Sequence, residues 1–387
     1  MNTHFENGKK VLETLTMHGH LAYFVGGFVR DFLLETATED IDITTSATPD
    51  EVLSLFESVK PTGIKYGTVT VFYGTDSFEV TTFRSDGNYK NHRHPSHVVY
   101  SKTLKDDLIR RDFTINGMAM NLNGKIIDEV GGTEDLKNKL IRAIDDPITR
   151  FQEDSLRIMR AFRFVSKTGF DIETNTANAI RNSSALLKEI ANERVLQEFK
   201  KIAMNPYRKK AYHLLVILGV ADTFSELREG LILLSKIDTE ILPWPQFFTL
   251  CFFLNQQEIP ENWRFSNFEK AKMKEVITLM SETVSNDFTP LHLFHHGVKR
   301  CLEANVLNTL INEKNNQVKR IKQLDSTQVI TSMTQLQISG SDISTFPNLK
   351  NQAMIGILLE DVLNKVLNKE LENNFETLKE YILKTIK

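Results

Sequence analysis

The spacing of apolar residues changes near Pro147, and this change limits the possible fold more than any other feature of the chain. Upstream, short apolar segments alternate with helical ones; residues 40–44, for example, have the period of two that is typical of a strand with one face on a core. Downstream, helical periodicity continues from Arg150 almost to Lys387. The pattern predicts an α+β protein in which a mixed-sheet domain is followed by a long helical portion.

Local signals add detail to the first domain. Thr48 and Pro49 supply a capping residue and a proline at the first helical position, which predicts a helix start. Residues 85–101 contain Gly, Asn, His, Pro and Ser with little periodicity and predict a mobile loop. The remaining expected elements are helices over residues 8–18 and 28–34, strands over 21–25, 67–73 and 77–84, and a hairpin at Asn123-Gly124.

Length and composition predict the general class of protein. A chain of 387 residues is too long for one ordinary core and should form two to four domains. A hydrophobic fraction of 41%, without a run of eighteen apolar residues or a signal-peptide pattern, favours a soluble protein. Cys251 and Cys301 stand far apart without a CxxC motif, which disfavours a disulfide framework or a zinc site and fits the cytoplasm. Because the net charge is −3, any nucleic acid must bind on a local basic surface.

Asp40 and Asp42 stand two residues apart in the strand-like segment, so their carboxylates are expected on the same face, about 7 Å apart along the chain. Two carboxylates in this arrangement can share Mg²⁺ ions that stabilise the attacking and leaving oxygens of a phosphoryl displacement. Upstream, Gly26 and Gly27 lie at a strand-to-helix turn, where a glycine backbone can approach a phosphate, and Arg30 follows within one turn. An isolated Asp-x-Asp is usually a solvated strand end, but the combination predicts a phosphoryl-transfer site.

Two further groups of polar residues are candidates for the same site. Glu79 lies in an alternating strand, and two interpretations stay open: a third catalytic carboxylate near the metal ions, or an exposed strand glutamate. Arg110 and Arg111 precede a predicted short helix and can hold triphosphate oxygens with bidentate hydrogen bonds. Asp112 and Asn116 can orient these arginines or the sugar. The alternative is a surface charge cluster that caps a helix.

Motifs in order along the first 200 residues resemble a known family. The segment from Gly26 to Asp42, together with residues 110–116, is similar to the signature of the class II tRNA nucleotidyltransferases and bacterial poly(A) polymerases. The segments at 128–136, 150–163 and 192–198 match the motifs that follow in that family. Within it, the length and the tail most resemble the CCA-adding enzymes of Gram-positive bacteria.

The resemblance implies an architecture and a set of partners. The head would be a nucleotidyltransferase domain of the polymerase-β type with a mixed sheet, followed by an all-α neck, body and tail. The implied boundaries are 1–145 for the head, 146–205 for the neck, 206–275 for the body and 276–387 for a tRNA-binding tail. The implied partners are tRNA, CTP and ATP, with Mg²⁺ as cofactor and no membrane. The sequence leaves the oligomeric state open, a homodimer included.

The resemblance also implies roles for individual residues. Asp40 and Asp42 would bind Mg²⁺. Gly27, Arg30 and Arg111 would hold the triphosphate and sugar. Residues of the neck would contact the base and phosphates; they are Asp154, Arg157, Arg160 and Arg163.

Two positions depart from the family pattern. Gly117 stands where the family usually has alanine, and glycine in a short helix costs up to ~1 kcal/mol relative to alanine, which predicts a looser segment. Residues Asp128-Glu129-Val130 depart from the commoner Asp-Pro-Phe, and the sequence indicates no chemical consequence of that change.

Asp154 and Arg157 are three residues apart in a predicted helix and would share a face. The carboxylate can only accept hydrogen bonds, and the guanidinium can only donate them. Cytosine and adenine offer an amino donor beside a ring-nitrogen acceptor, whereas uracil and guanine have a carbonyl and an N–H at those places. Unpaired buried polar groups strongly disfavour the wrong base, so this pair can select C and A without a nucleic-acid template. An intrahelical ion pair is the alternative, and the neighbouring Arg160 and Arg163 favour the functional role.

The sequence gives weaker signals for RNA binding. Each basic cluster outside the motifs is by itself typical of a solvated helix face, but together they can follow the backbone of a tRNA acceptor arm. His292, His295 and His296 lack Asp or Cys at ligand spacing, which favours packing or phosphate contact over metal binding. The basic clusters are Lys200-Lys201, Arg208-Lys209-Lys210, Lys299-Arg300 and Lys319-Arg320 with Lys322.

The predicted function is the addition of C, C and A to the 3′ end of tRNA, including the repair of damaged ends. Three alternatives stay open: a bacterial poly(A) polymerase, which usually has a longer basic tail; an enzyme that adds only the two cytidines, which tends to lack a loop such as residues 85–101; and a non-catalytic RNA-binding module, which the intact Asp40 and Asp42 disfavour. The absence of a P-loop argues against a synthetase, helicase or kinase.

Overall fold

The structure is a computed structural model that describes residues 3–38, 40–85, 99–255, 258–347, 349 and 351–386, with the backbone of strands at 89–90 and 94–95. It confirms the α+β class: a mixed sheet lies near the N-terminus, and the remainder is largely helical. The chain divides into two units, Met1–Trp244 with Asn262–Arg264, and Pro245–Glu261 with Phe265–Lys387. Most of the loop predicted over residues 85–101 lies outside the described residues.

The strands are concentrated in the head. They are β1 (Ala22–Val25), β2 (Asp42–Thr45), β3 (Val59–Gly63), β4 (Thr68–Tyr73), β5 (Asp76–Thr82), β6 (Arg84–Ser85), β7 (Tyr89–Lys90), β8 (His94–Pro95), β9 (Val99–Tyr100), β10 (Met118–Met120), β11 (Ile126–Asp128), β12 (Leu140–Ile141) and β13 (Asp171–Ile172). Seven of them form one mixed sheet in the order β11-β10-β1-β2-β5-β4-β3. In this sheet β2 and β5 are parallel, and the other neighbouring strands are antiparallel.

The head also contains short helices that pack on the sheet. They are α1 (Thr3–Met17), α2 (Gly27–Leu33), α3 (Pro49–Leu55), α4 (Leu104–Ile109) and α5 (Gly132–Lys137). Helix α1 lies close to the sheet at Gly8, where a Cβ atom would be 3.1 Å from the Phe24 ring and 3.2 Å from the Phe78 ring. Phe24 and Phe78 are fully buried, and burying such a side chain contributes about 1.5–3 kcal/mol.

Most of the expected local elements are present. Thr48 caps α3 in a reciprocal capping box with Glu51, and Pro49 is its first residue, as the sequence predicts. Strands β10 and β11 form the hairpin predicted at Asn123-Gly124, with Gly124 at a positive φ of 78°. The prediction of a strand over residues 40–44 is partly wrong, because β2 begins only at Asp42. Strand β3 carries no clear periodicity and was not predicted.

Helices dominate the chain after Pro147, as the periodicity predicts. In the first unit they are α6 (Pro147–Glu153), α7 (Leu156–Thr168), α8 (Thr174–Ser183), α9 (Asn192–Met204), α10 (Arg208–Ile217) and α11 (Ser225–Lys236). The helices that follow are α12 (Trp244–Asn255), α13 (Asn267–Thr283), α14 (Pro290–Ile311), α15 (Val318–Ser326), α16 (Gly340–Ser344), α17 (Met354–Leu367) and α18 (Phe375–Thr385). In the part of the chain that the structure describes, no helix is long and apolar enough to cross a membrane.

The second unit has a hydrophobic core at its C-terminal end. Helices α17 and α18 contribute Val362, Leu363, Leu378 and Ile382 to it, all fully buried. Helix α14 is interrupted at Gly297, whose φ of 73° and ψ of 159° are not helical.

The two departures from the family pattern lie in contact with each other. A methyl group at Gly117 would lie 2.8 Å from Cγ2 of Val130 and 2.9 Å from Cδ1 of Ile144. The space that alanine would need at position 117 is therefore already occupied. The looser segment expected from Gly117 stays a prediction, although its neighbours already fill the volume that a methyl group would take.

Candidate functional site

A polar cleft of about 850 Å³ lies within the first unit, lined by α2, β2 and β5 of the head and by α7 and α9. All ten site residues selected from the sequence line it. Ten cationic side chains face six carboxylates, so the cleft suits an anionic ligand. The cations are Arg30, Arg84, Arg110, Arg111, Arg157, Arg160, Arg163, Lys167, Arg194 and Lys201, and the carboxylates are Asp31, Asp40, Asp42, Glu79, Asp112 and Asp154.

Three carboxylates, Asp40, Asp42 and Glu79, lie close together near the start of the central strand β2. Asp42 begins β2 and is in register with Glu79 on the parallel strand β5. Asp40 precedes the strand, so the expectation that both aspartates share one strand is wrong, although both line the cleft. Loss of surrounding water raises the pKa of Asp42; Arg111 opposes this, while Glu79 and Asp40 raise the pKa further. Since solvent still reaches the Asp42 side chain, a cation can reach this carboxylate as well.

The glycine turn before α2 brings the backbone close to charged side chains. Gly26 has a φ of 69°, a left-handed conformation that favours glycine. A Cβ atom there would lie 3.1 Å from Nη1 of Arg111 and 3.5 Å from Oδ2 of Asp42. A larger residue at this position would obstruct the space between the arginine and the carboxylate.

The two arginines predicted to hold the triphosphate differ in burial and in their contacts. Arg30 is only 2% exposed; its Nη1 donates to Oδ1 of Asn116 at 2.6 Å, and its Nε donates to Oδ1 of Asp31 at 2.8 Å. Arg111 is anchored by Asp107, with Nη2 3.0 Å from Oδ2. Nε of Arg111 is buried and has no hydrogen-bond partner among the described residues.

Asp112 and Asn116 are buried, so the alternative of a surface charge cluster is wrong for them. Asn116 orients Arg30, and Oδ2 of Asp112 accepts a hydrogen bond of 2.6 Å from Nε of Arg160. Burial alone raises the pKa of Asp112, but the Arg160 charge and the hydrogen bonds from Asn116 and Arg160 lower it well below its ordinary range. Asp112 therefore links the head to the helical neck as a carboxylate.

The predicted helix over Asp154 and Arg157 is interrupted. Asp154 has a φ of −142° and a ψ of 98° and lies at the junction of α6 and α7, so the two residues do not share one continuous helix. Oδ2 of Asp154 pairs with Nη2 of Arg194 at 3.2 Å. Arg157 is buried, and its Nη1 donates to Oε2 of Glu153 at 2.8 Å and to the carbonyl oxygen of Arg150 at 3.0 Å. Both side chains nevertheless line the cleft.

Arg160 and Arg163 lie on the cleft face of α7, as their spacing predicts. Arg163 pairs with Glu198 of α9, with Nη1 3.3 Å from Oε1. Desolvation and the nearby charge of Arg160 lower the pKa of Arg163, with Glu198 opposing them. The guanidinium groups of Arg160 and Arg163 lie 5.7 and 4.8 Å from the centre of the Phe164 ring.

Sequence reasoning missed several polar residues of the cleft. Lys167 lies seven residues after Arg160 and therefore on the same face of α7, a spacing that would have revealed it. Arg194 belongs to the segment 192–198, which resembles a family motif, but the resemblance implies no role for this residue. Lys201 belongs to the basic cluster Lys200-Lys201, which the sequence analysis assigned to RNA binding and not to this cleft. For Arg84 and Asn205 no sequence signal stands out.

Outside the cleft, some of the basic side chains and all three histidines considered in the sequence analysis are paired with carboxylates. In the first unit, Lys209 lies 2.7 Å from Asp238 and Lys210 lies 2.5 Å from Asp171. In the second unit, each of the three histidines has a glutamate partner on another helix. These pairs are His292–Glu282 at 3.4 Å, His295–Glu360 at 2.8 Å and His296–Glu275 at 3.0 Å.

Comparison with known families defines the class of protein. A Poly A polymerase head domain model matches residues 22–142, which contain the sheet and the carboxylates. A model for a probable RNA- and SrmB-binding site of polymerase A matches residues 169–231, and a putative tRNA nucleotidyltransferase domain 2 model matches residues 235–382. The class is therefore that of the tRNA nucleotidyltransferases and poly(A) polymerases.

Full-length relatives define the family more narrowly. The CCA-adding enzyme of Anoxybacillus flavithermus is 38% identical, covering 99% of this chain and 98% of the relative. That of Bacillus cytotoxicus is 35% identical, with 98% of each chain covered. The crystal structure of the Bacillus stearothermophilus CCA-adding enzyme in complex with CTP matches 100% of this chain and 98% of its own, with a TM-score of 0.82 and 28% identity. The chain belongs to the family of CCA-adding enzymes.

Proposed function

We propose that this protein adds C, C and A to the 3′ end of tRNA, using CTP and ATP and releasing diphosphate, and that it restores incomplete CCA ends. The observation that carries the proposal is the single cleft in which Asp40, Asp42, the cationic side chains and the Asp154–Arg157 pair lie together. The identity with CCA-adding enzymes over the full length supports it. We place the reaction in the cytoplasm, which agrees with the two free, buried cysteines.

A divalent metal ion is needed by CCA-adding nucleotidyltransferases, and Mg²⁺ is the ion that we propose here. Mg²⁺ prefers carboxylate oxygens, which Asp40 and Asp42 present to the cleft. Among the described residues no group of three or more His, Cys, Asp or Glu can hold a metal ion. Mg²⁺ typically binds to one or two carboxylates and takes its other ligands from water and substrate phosphates, which fits the pair Asp40 and Asp42. When bound, Mg²⁺ stabilises the negative charge on the attacking and leaving oxygens.

The head residues hold and orient the reactants in this proposal. Arg30 and Arg111 bind the triphosphate, and the backbone at Gly27 leaves room for it at the start of α2. Glu79, in register with Asp42, accepts a hydrogen bond from the 3′-hydroxyl of the tRNA and directs its oxygen toward the α-phosphorus. The hydroxyl oxygen bonds to the α-phosphorus while the bond between that phosphorus and the diphosphate oxygen breaks. The hydroxyl proton is released to solvent, and diphosphate leaves.

The neck residues select the base in this proposal. Asp154 accepts the amino hydrogen of C or A, and Arg157 donates to the adjacent ring nitrogen. A carboxylate oxygen can accept more than one hydrogen bond, so Asp154 keeps capacity for the base beside its contact with Arg194. When the nucleotide binds, the Arg157 guanidinium turns toward the base and away from Glu153 and the carbonyl oxygens of Arg150 and Arg110. Arg160 and Arg163 provide positive charge for the phosphates on the same face.

The deciding experiment uses tRNA that lacks its 3′ CCA, incubated with Mg²⁺ and with CTP alone, ATP alone, or both. We expect two added nucleotides with CTP alone and three with both. A long adenosine tail with ATP alone would instead identify a poly(A) polymerase, and a stop after two cytidines with both would identify a CC-adding enzyme. Binding of tRNA without any extension would identify a non-catalytic module. A tRNA that already ends in CCA is the matched control and should not be extended.

A further inference from the structure

A chain of buried polar contacts runs through the head beneath the cleft. Nη1 of Arg30 donates to Oδ1 of Asn116 at 2.6 Å, and Nδ2 of Asn116 donates to Oδ1 of Asp112 at 3.1 Å. In the other direction, Nε of Arg30 donates to Oδ1 of Asp31 at 2.8 Å. These four side chains are at most 7% exposed, so their hydrogen bonds are shielded from water and well defined.

Both ends of this chain are bound by helix α7. Arg160 donates from Nε to Oδ2 of Asp112 at 2.6 Å, and Lys167 donates from Nζ to Oδ2 of Asp31 at 2.8 Å. The six side chains therefore form a closed ring, in which Arg160 and Lys167 are the two residues contributed by α7. Arg160 and Lys167 are seven residues apart on one face, roughly 10 Å along the helix axis. A single anchor would let the helix tilt, whereas two anchors fix both its position and its direction.

An aromatic side chain fills the middle of this ring. Phe164 of α7 is 5% exposed, and its ring centre lies 5.3 Å from the Arg30 guanidinium and 5.7 Å from that of Arg160. Its edge-to-face partner is Phe113 of the head, with the ring centres 5.7 Å apart. Cation–π and aromatic contacts add to the hydrogen bonds and exclude water from the space inside the ring.

We propose that this ring is a rigid coupling between the triphosphate-binding arginine Arg30 and the base-selecting end of α7, and that Lys167 is a positioning residue for nucleotide selection. The inference rests on the proposed function, because it concerns the geometry of the same cleft. Arg157 lies one turn before Arg160, so a tilt of α7 about Arg160 displaces the base-selecting side chains from the bound triphosphate. Selection by directed hydrogen bonds needs groups held within about 0.5 Å and 10–20°.

Lys167→Met tests the proposal because it removes one of the two anchors. Lys201→Met is the matched control: it removes the same charge from the same cleft, and Lys201 makes no ion pair with a described residue. Initial rates of single-nucleotide extension are measured with each of the four triphosphates. We expect Lys167→Met to lower the preference for CTP over UTP by ~10- to 100-fold. Lys201→Met should keep the wild-type ratio, and Lys167→Arg, which retains the contact with Asp31, should restore it.

Several outcomes would contradict the coupling. Equal selectivity in Lys167→Met and Lys201→Met, or a wild-type ratio in Lys167→Met, would show that the second anchor does not affect base choice. Phe164→Leu, which leaves the polar ring intact but loosens its centre, gives a second measurement and should change the ratio in the same direction as Lys167→Met. A wild-type protein that extends no tRNA would contradict the proposed function itself, a result distinct from all of these.

Discussion

The two sides of the cleft hold their carboxylates in different ways. On the head side, Asp42 is accessible to solvent and is repelled by the neighbouring Glu79 and Asp40. On the side that faces the neck, Asp112 of the head and Asp154 at the junction of α6 and α7 each have an arginine partner. The first arrangement is unfavourable until a cation arrives, and the second is satisfied before any ligand binds. The cleft thus combines carboxylates that need a cation with carboxylates whose positions are already fixed by their arginine partners.

This contrast predicts different consequences of substitution on the two sides. Removing a head-side carboxylate should abolish activity without lowering stability, because that carboxylate is poorly stabilised in the folded chain. Removing a neck-side carboxylate should change selectivity or stability, because its partner is left without a counter-charge.

Asp42→Asn should have the largest effect. Loss of a proposed metal ligand should lower the rate of nucleotide transfer by at least ~1,000-fold, about 4 kcal/mol in transition-state stabilisation. The melting temperature should stay the same or rise, since a repelled charge is removed, and tRNA should still bind. Extension assays, thermal unfolding and tRNA binding measure the three quantities, with Asp50→Asn on α3 as the control. Near wild-type turnover with Mg²⁺ would make the metal assignment wrong.

Asp154→Asn should have an intermediate effect on selectivity. The amide adds an N–H₂ donor that can pair with O4 of uracil, while Arg157 still opposes the N3–H. Use of CTP and ATP should fall, UTP incorporation should rise, and discrimination should weaken by about 1–3 kcal/mol. Single-nucleotide extension with the four triphosphates measures this, with Glu193→Gln beside Arg194 as the control. Lost activity with an unchanged preference for C over U would mean that Asp154 only ends α6 and anchors Arg194.

The effect of Asp112→Asn should be the smallest of the three. It is an effect on the stability of the fold, and its size should depend on pH. The folded-state pKa of Asp112 lies below that of the unfolded chain, so its charge stabilises the protein above the unfolded value of about 3.9. That contribution, on the order of 1–2 kcal/mol, is lost as the pH falls toward the folded-state pKa. Between pH 5 and pH 2.5 the melting temperature of the variant should therefore decrease less than that of the wild type. Parallel curves would show that the pair with Arg160 contributes no acid sensitivity.

Much of the head could be predicted from the sequence because its signals are local. The glycine turn, the spacing of Asp40 and Asp42 and the capping box at Thr48 each depend on residues within a few positions. The break at Asp154 could not be predicted, because no proline or glycine marks it and its side-chain partner Arg194 is 40 residues away. The spacing from Arg160 indicates that Lys167 lies on the cleft face of α7, but its contact with Asp31 could not be predicted, since the two residues are 136 positions apart.

The packing around Gly117 restricts the order in which this sequence can change. Adding only an alanine methyl at position 117 would force it into Val130 and Ile144, and overpacking of this kind costs typically about 1–3 kcal/mol. Reshaping Val130 alone would leave unfilled space against a glycine. Positions 117 and 130 are therefore coupled through their packing, and a substitution that adds volume at one of them should be combined with a smaller side chain at the other.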